Sequence, residues 1–219
     1  MQKIGNAVAQ EMEYFGISLW LAPGMNIQRD PLCGRNFEYY SEDPLLTGKI
    51  AAAMVRGVQS VPGKGAVIKH FACNNRENGR LGGNSIVETQ ALREIYLKPF
   101  EIAVKESSPA AMMSAYNAVN GEQAANSYAL CTGIARGEWQ YEGVIMTDWG
   151  TTDFGTDAVQ CIKAGNDLIM PGDLKDIEKL QQALQSDALS RAELARCAQR
   201  VLRMVFYLNR LSNFFFSSV

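Results

Sequence analysis

The residues that could do chemistry fall just after short apolar runs. Asp148 follows the run at residues 143–146 and Thr147, and it precedes Trp149. A carboxylate held at the end of a buried strand can act as a nucleophile, and it can equally cap a following helix. Lys69 and His70 stand side by side at the end of another run, with Asn74, Asn75, Glu77 and Arg80 behind them. Adjacent side chains on a regular strand face opposite ways, so both reach one ligand only at a bulge or strand end. The first run leads into Asn26, Arg29, Asp30, Arg35 and Glu38; the third into Ser114, Tyr116 and Asn117; the fifth into Pro171-Gly172-Asp173. Cations, carboxylates, amides and aromatics in one rim suit a polyhydroxylated ligand, whose hydroxyls take paired polar partners. The bland readings stand beside this one. Arg35 and Arg80 would be surface salt-bridge residues and Trp149 a core residue. His70, the only histidine, would be a satisfied structural side chain. Met113 alternates with Ser114, so one of the two is expected in the core.

The elements that must position these residues alternate. The apolar runs cover residues 17–22, 66–71, 110–115, 143–146 and 167–170. Each is apolar nearly throughout, as strands of a parallel sheet buried on both faces are. Helical periods lie between them. Ile50, Ala53, Met54, Gly57 and Val58 recur at helical spacing, with Asp43 as N-cap and Pro44 at the first position. Leu92, Ile95, Phe100 and Ala103 mark a second helix over 88–106, bent at Pro99. Ile4, Val8, Met12 and Phe15 make a stripe on an opening helix that Gly16 stops. Ser190 and Glu193 form a capping box stapled by Leu189 and Leu194. The helix they open is expected to bury Leu194, Ala198, Val201, Val205 and Leu208. Five alternations predict an α/β fold, either a partial barrel or a doubly wound sheet.

Composition narrows the function. The chain has 219 residues, 47% hydrophobic and 20% charged, with a net charge of −2, so no basic footprint points to nucleic acid. No apolar run approaches the roughly 20 residues that span a bilayer. There is neither a GxGxxG after a strand nor a GxxxxGK[ST] loop. The five cysteines are widely spaced and form no metal-spaced cluster. They read as reduced thiols, which with the absence of a signal peptide gives a cytoplasmic expectation. No cofactor or metal is expected. The aromatic tail SNFFFSSV suggests a cut end or a missing partner surface.

Four stretches, LAPGMNIQRDPLCGRNFEYYSEDP, KHFACNNRENGR, MMSAYNAVNG and GVIMTDWG, resemble in order and spacing the motifs of glycoside hydrolase family 3. The similarity runs from about Gly16 to Leu208, and GRNFEYYSEDP looks more like the β-glucosidases than the β-xylosidases. The resemblance implies a TIM-type barrel in partial or collapsed form, with its first strand missing, occupying residues 1–219. It implies retaining exo-hydrolysis of β-linked sugars from a β-glucoside or oligosaccharide. Asp148 would be the nucleophile, with Arg35, Lys69 and His70 as hydroxyl binders and Arg80 as a weaker one. Tyr116 and Met113 would line the pocket, and Trp149 would wall it. Glu38, Glu42 and Asp43 are read as structural.

Retaining glycosidases need two carboxyl groups. In most of the family the acid/base is a glutamate on a separate sandwich domain, which is expected to be missing here. The branch that uses a loop histidine would need a second histidine, and the chain has one. Two other classes remain: a sugar-binding fragment or subunit without catalysis, and a lyase or aldolase using Lys69 as a Schiff base.

Overall fold

The computed structural model describes residues 1–209; the aromatic tail lies outside them. Helix α1 (Gln2–Tyr14) packs on α2 (Pro44–Gln59). Four parallel strands follow one another across a single sheet: β1 (Leu19–Trp20), β2 (Gly65–Phe71), β4 (Ala111–Ser114) and β7 (Val144–Thr147). A small second sheet of β3 (Asn84–Ser85), β5 (Ala118–Val119) and β6 (Glu122–Gln123) lies in the loops that follow β2 and β4. Helices α3 (Thr89–Ala91), α4 (Lys98–Ser107), α5 (Ala158–Ala164), α6 (Leu174–Gln185) and α7 (Arg191–Leu208) complete the chain with wide helical turns at Leu92–Tyr96 and Ala129–Glu138.

The sheet is buried on both sides, which explains its unbroken apolar strands. Ala66, Ile68, Met112 and Ile145 join one core with Val55, Val58 and Phe100 of the helices. Val67, Ala111, Met113, Val144 and Met146 make a second core on the opposite face. Helix α7 covers that face through partly buried Val201 and Met204.

The expected barrel is not closed: among the described residues the sheet is open, with β1 at one edge. Beyond β7 the run at 167–170 contributes one parallel bridge, Met146 to Leu168, rather than a strand. A strand lengthens by pairing on both sides, and this run is paired on one. The first run shrinks to two ladder residues for the same reason. It nevertheless follows β2 farther, with Val67, Lys69 and Met25 amides bonding Ala22, Pro23 and Lys69 carbonyls.

Helices diverge from the sequence pattern in three places. The 88–106 segment widens at Leu92–Tyr96, where the Leu97 amide bonds the Leu92 carbonyl, and resumes as α4 around Pro99. On α1 the buried residues are Gly5, Ala9 and Met12, while Ile4 and Phe15 face outward. On α7 only Cys197 is fully buried; Leu194, Val201 and Leu208 are half-buried, and Ala198 and Val205 exposed. Its predicted capping box is present, and Asp43 caps α2 by accepting from the Leu46 amide.

Candidate functional site

Asp148 sits one residue beyond the end of β7 and is nearly buried, its side chain 12% exposed. Its Oδ1 accepts from the Trp149 amide at 2.7 Å. Its Oδ2 has no hydrogen-bond partner and faces His70 Nε2 at 3.7 Å, beyond hydrogen-bonding distance. Burial pushes the Asp148 carboxyl above its ordinary range, while the Trp149 amide and the charges of Arg35, Arg80 and Lys69 pull it back. The outcome is a poorly solvated carboxylate with one oxygen fixed and the other uncommitted.

Lys69 and His70 come from the end of β2. The β2–β4 register slips between Lys69 and Phe71, and the Lys69–His70 peptide is cis. Asn26 clamps His70 by its backbone, donating to the His70 carbonyl and accepting from its amide, both at 2.9 Å. The imidazole is 2% exposed and lies 3.4 Å by Nδ1 from the Tyr39 hydroxyl. Burial first, then the charges of Arg35, Lys69 and Arg80, push His70 well below its ordinary value, so it is neutral near pH 7. Lys69 is lowered too, chiefly by burial, with Glu38 opposing.

Glu38 ties two predicted binders together. Its Oε1 accepts from Arg35 Nε at 2.5 Å and its Oε2 lies 3.9 Å from Lys69 Nζ. Its assignment as a network carboxylate therefore holds, and the network includes site cations. Arg80 donates to Glu77 at 2.9 Å, and its guanidinium lies 5.1 Å from the centroid of the Tyr116 ring. The Tyr116 hydroxyl donates to the Trp149 carbonyl. Burial, with Asp148 second, pushes that phenol up to about 12, so it stays a donor. Trp149 is 54% exposed, which excludes the core reading for it. Met113 and Ser114 are both buried: Met113 lies in the core of the α7-covered face, and Ser114 donates to Asn166 at 3.0 Å.

The predicted residues thus fall at one end of the sheet, and contacts or mutual charge effects link Arg35, Lys69, His70, Arg80, Tyr116, Asp148 and Trp149. Met113 lies deeper in the packed interior. Asn26, Tyr39 and Phe154 carry site contacts that their sequence positions did not flag. Asn26 stood on the predicted rim with no role, because a bond to distant backbone leaves no sequence spacing. A separate cleft of about 740 Å³ lies against Ala110 and Gly143 at the opposite strand ends, beside Arg200, Arg203, Met204 and Tyr207 of α7. None of the predicted site residues lines it.

The family match decides what this rim belongs to: the glycosyl hydrolase family 3 N terminal domain matches residues 1–204. The chain belongs to glycosyl hydrolase family 3. This family 3 chain is 42% identical over 208 residues to thermostable beta-glucosidase B of Acetivibrio thermocellus, covering 94% of itself and 27% of that relative. It is 40% identical over 205 residues to an exo-alpha-(1->6)-L-arabinopyranosidase of Bifidobacterium breve, covering 94% and 26%. Beta-glucosidase 3B of Thermotoga neapolitana, solved in complex with glucose, superposes with a TM-score of 0.92 at 45% identity. That match covers 99% of this chain and 31% of the other. The family 3 chain thus spans about a quarter of the curated relatives it matches.

Proposed function

We propose that this chain carries the nucleophile half of a retaining, exo-acting β-glycosidase of β-glucosidase type. The observation that carries the reading is Asp148, a buried strand-end carboxylate with one oxygen fixed, the other uncommitted and three cations around it. In this reading Oδ2 attacks the anomeric carbon, the glycosidic bond breaks, and the leaving oxygen takes its electron pair. Water then hydrolyses the glycosyl ester. Arg35, Lys69 and His70 bind hydroxyls of the terminal sugar, and Arg80 assists. His70, being neutral, serves as a hydrogen-bonding partner rather than a base. Glu38 and Glu77 are engaged by Arg35, Lys69 and Arg80, so neither is placed as the proton donor. We assign that donor to a further domain of a longer protein, which would also supply the strands that close the sheet into a barrel. Relatives named for β-glucosides and for an α-L-arabinopyranoside make the sugar itself a matter for assay.

The test uses an inactivator that needs no proton donor. A dinitrophenyl 2-deoxy-2-fluoro-β-glucoside should lose dinitrophenolate and leave its sugar on Asp148, read as a mass increase on the peptide that contains it. A label on Asp153 or Asp157 would overturn the assignment. Sugar binding without any label would favour a non-catalytic sugar-binding module, the reading that competes most directly.

A further inference from the structure

The side chains around Asp148 are sorted by depth and by chemistry. The polar groups are the deep ones: His70 and Asp148 are nearly buried, and the Lys69 and Arg35 side chains are largely so. They come from the segments that follow β1 and β2, apart from Asp148 itself. The exposed groups are aromatic and come from the segment that follows Asp148. Trp149 is 54% exposed and Phe154 is 41% exposed.

Phe154 is not a stray surface ring. It ends the short turn Thr151–Asp153, where its amide bonds the Thr151 carbonyl at 3.0 Å. Its ring meets Tyr116 edge to face, with centroids 6.1 Å apart and planes at 83°. Tyr116 in turn bonds the Trp149 carbonyl. One tyrosine therefore contacts both Phe154 and the backbone of Trp149, with Arg80 5.1 Å from its own ring centroid. Two exposed aromatic side chains are so fixed beside a polar floor.

We infer that Phe154, with Trp149, forms the apolar wall that receives the leaving group, so it sets preference for aromatic or sugar aglycones over small alkyl ones. This rests on the reading of Asp148 as the nucleophile. An exo-acting site buries the terminal sugar against the polar floor. The bond to be cut then points toward the rim, and the group beyond it meets whatever the rim offers. Here the rim offers two aromatic surfaces, which suit the C–H faces of a sugar or an aryl ring. Phe154 touches neither the terminal sugar nor the reacting atoms, so it is a specificity residue.

The experiment compares three ligands with the 219-residue chain by saturation-transfer NMR: glucose, methyl β-glucoside and phenyl β-glucoside. The wild type should bind phenyl β-glucoside more tightly than methyl β-glucoside. Phe154→Ala should reduce that preference roughly three- to tenfold while leaving glucose within about twofold, the scale of one lost aromatic contact. Phe154→Leu keeps apolar bulk without the ring and should lose most of the same preference. Circular dichroism on each variant checks the fold. An unchanged phenyl-to-methyl ratio in Phe154→Ala, with glucose still bound, overturns the inference and leaves the Asp148 reading standing. Failure of the wild type to bind glucose removes both.

Discussion

At the scale of single residues, His70 offers a clean test of the site's electrostatics, because it is the only histidine in the chain. In the unfolded chain it titrates near 6.5. In the fold, burial and three neighbouring cations hold it well below that. Between the two values the unfolded chain binds a proton that the folded chain refuses. The stabilising contribution is therefore fully present above about 6.5 and is lost as the pH falls below it. The slope approaches about 1.4 kcal/mol per pH unit for one proton. Asp148 and Asp167, both raised chiefly by burial, act with the opposite sign, so the comparison must be with a variant. Urea unfolding at pH 6.5 and 5.5 should show a fall in wild-type stability that is smaller in His70→Asn. Parallel pH profiles would mean that His70 is not held neutral. The neutral imidazole was not legible in the sequence. Lys69-His70 advertises two cations, and only burial beside Arg35 and Arg80 turns one of them off. Asp148, by contrast, was legible because a strand end followed by a turn leaves few other places for a carboxylate to act.

At the scale of elements, the contact between α1 and α2 shows where pattern reading fails. The large apolar residues Ile4 and Phe15 promised the buried stripe, yet the buried positions are Gly5, Ala9 and Met12. Small residues let two helix backbones approach, and a pattern weighted toward large side chains misses them. Gly57 makes the approach closest: a methyl group there would run into the Gln2 carbonyl and come within 2.9 Å of Gly5 Cα. Glycine to alanine in an exposed helix interior normally gains about 1 kcal/mol. Gly57→Ala should reverse that sign and lose about 1–3 kcal/mol through overpacking. Gly133→Ala is the control, since its nearest foreign atom, the Tyr128 carbonyl oxygen, would lie 3.7 Å away. Equal urea midpoints for the two variants would show that the close approach carries no energy. Helix α2 was read correctly because its start is written in local chemistry, Asp43 as cap and Pro44 behind it. The wide turn at Leu92–Tyr96 was not, because an extra residue in a turn shifts every later position off the helical period.

At the scale of the whole molecule, the rim was legible and the sheet's two faces were not. Strands buried on both sides carry no alternation, so nothing in the runs at 66–71 or 143–146 says which residues meet α2 and which meet α7. The molecule leaves apolar surface on view in two regions. Tyr14, Phe15 and Ile17 are exposed at the end of α1, and Leu202, Val205 and Tyr207 are exposed on α7. The sheet also has an open edge at β1, where Leu19 and Trp20 pair with β2 on one side only. Open strand edges and apolar patches drive association. The 219-residue chain should therefore associate with itself as its concentration rises, seen as a growing sedimentation coefficient. If α7 supplies the contact, Leu202→Lys with Tyr207→Lys should weaken association roughly tenfold or more, equivalent to about 1.4 kcal/mol. Neither residue touches Asp148 or its cations, so the pair should leave glucose binding unchanged. Association that persists undiminished in the double variant would move the contact to β1 and the end of α1. There Tyr14→Lys with Phe15→Lys is the next pair, and an edge-blocking proline at Leu19 separates strand pairing from helix contact.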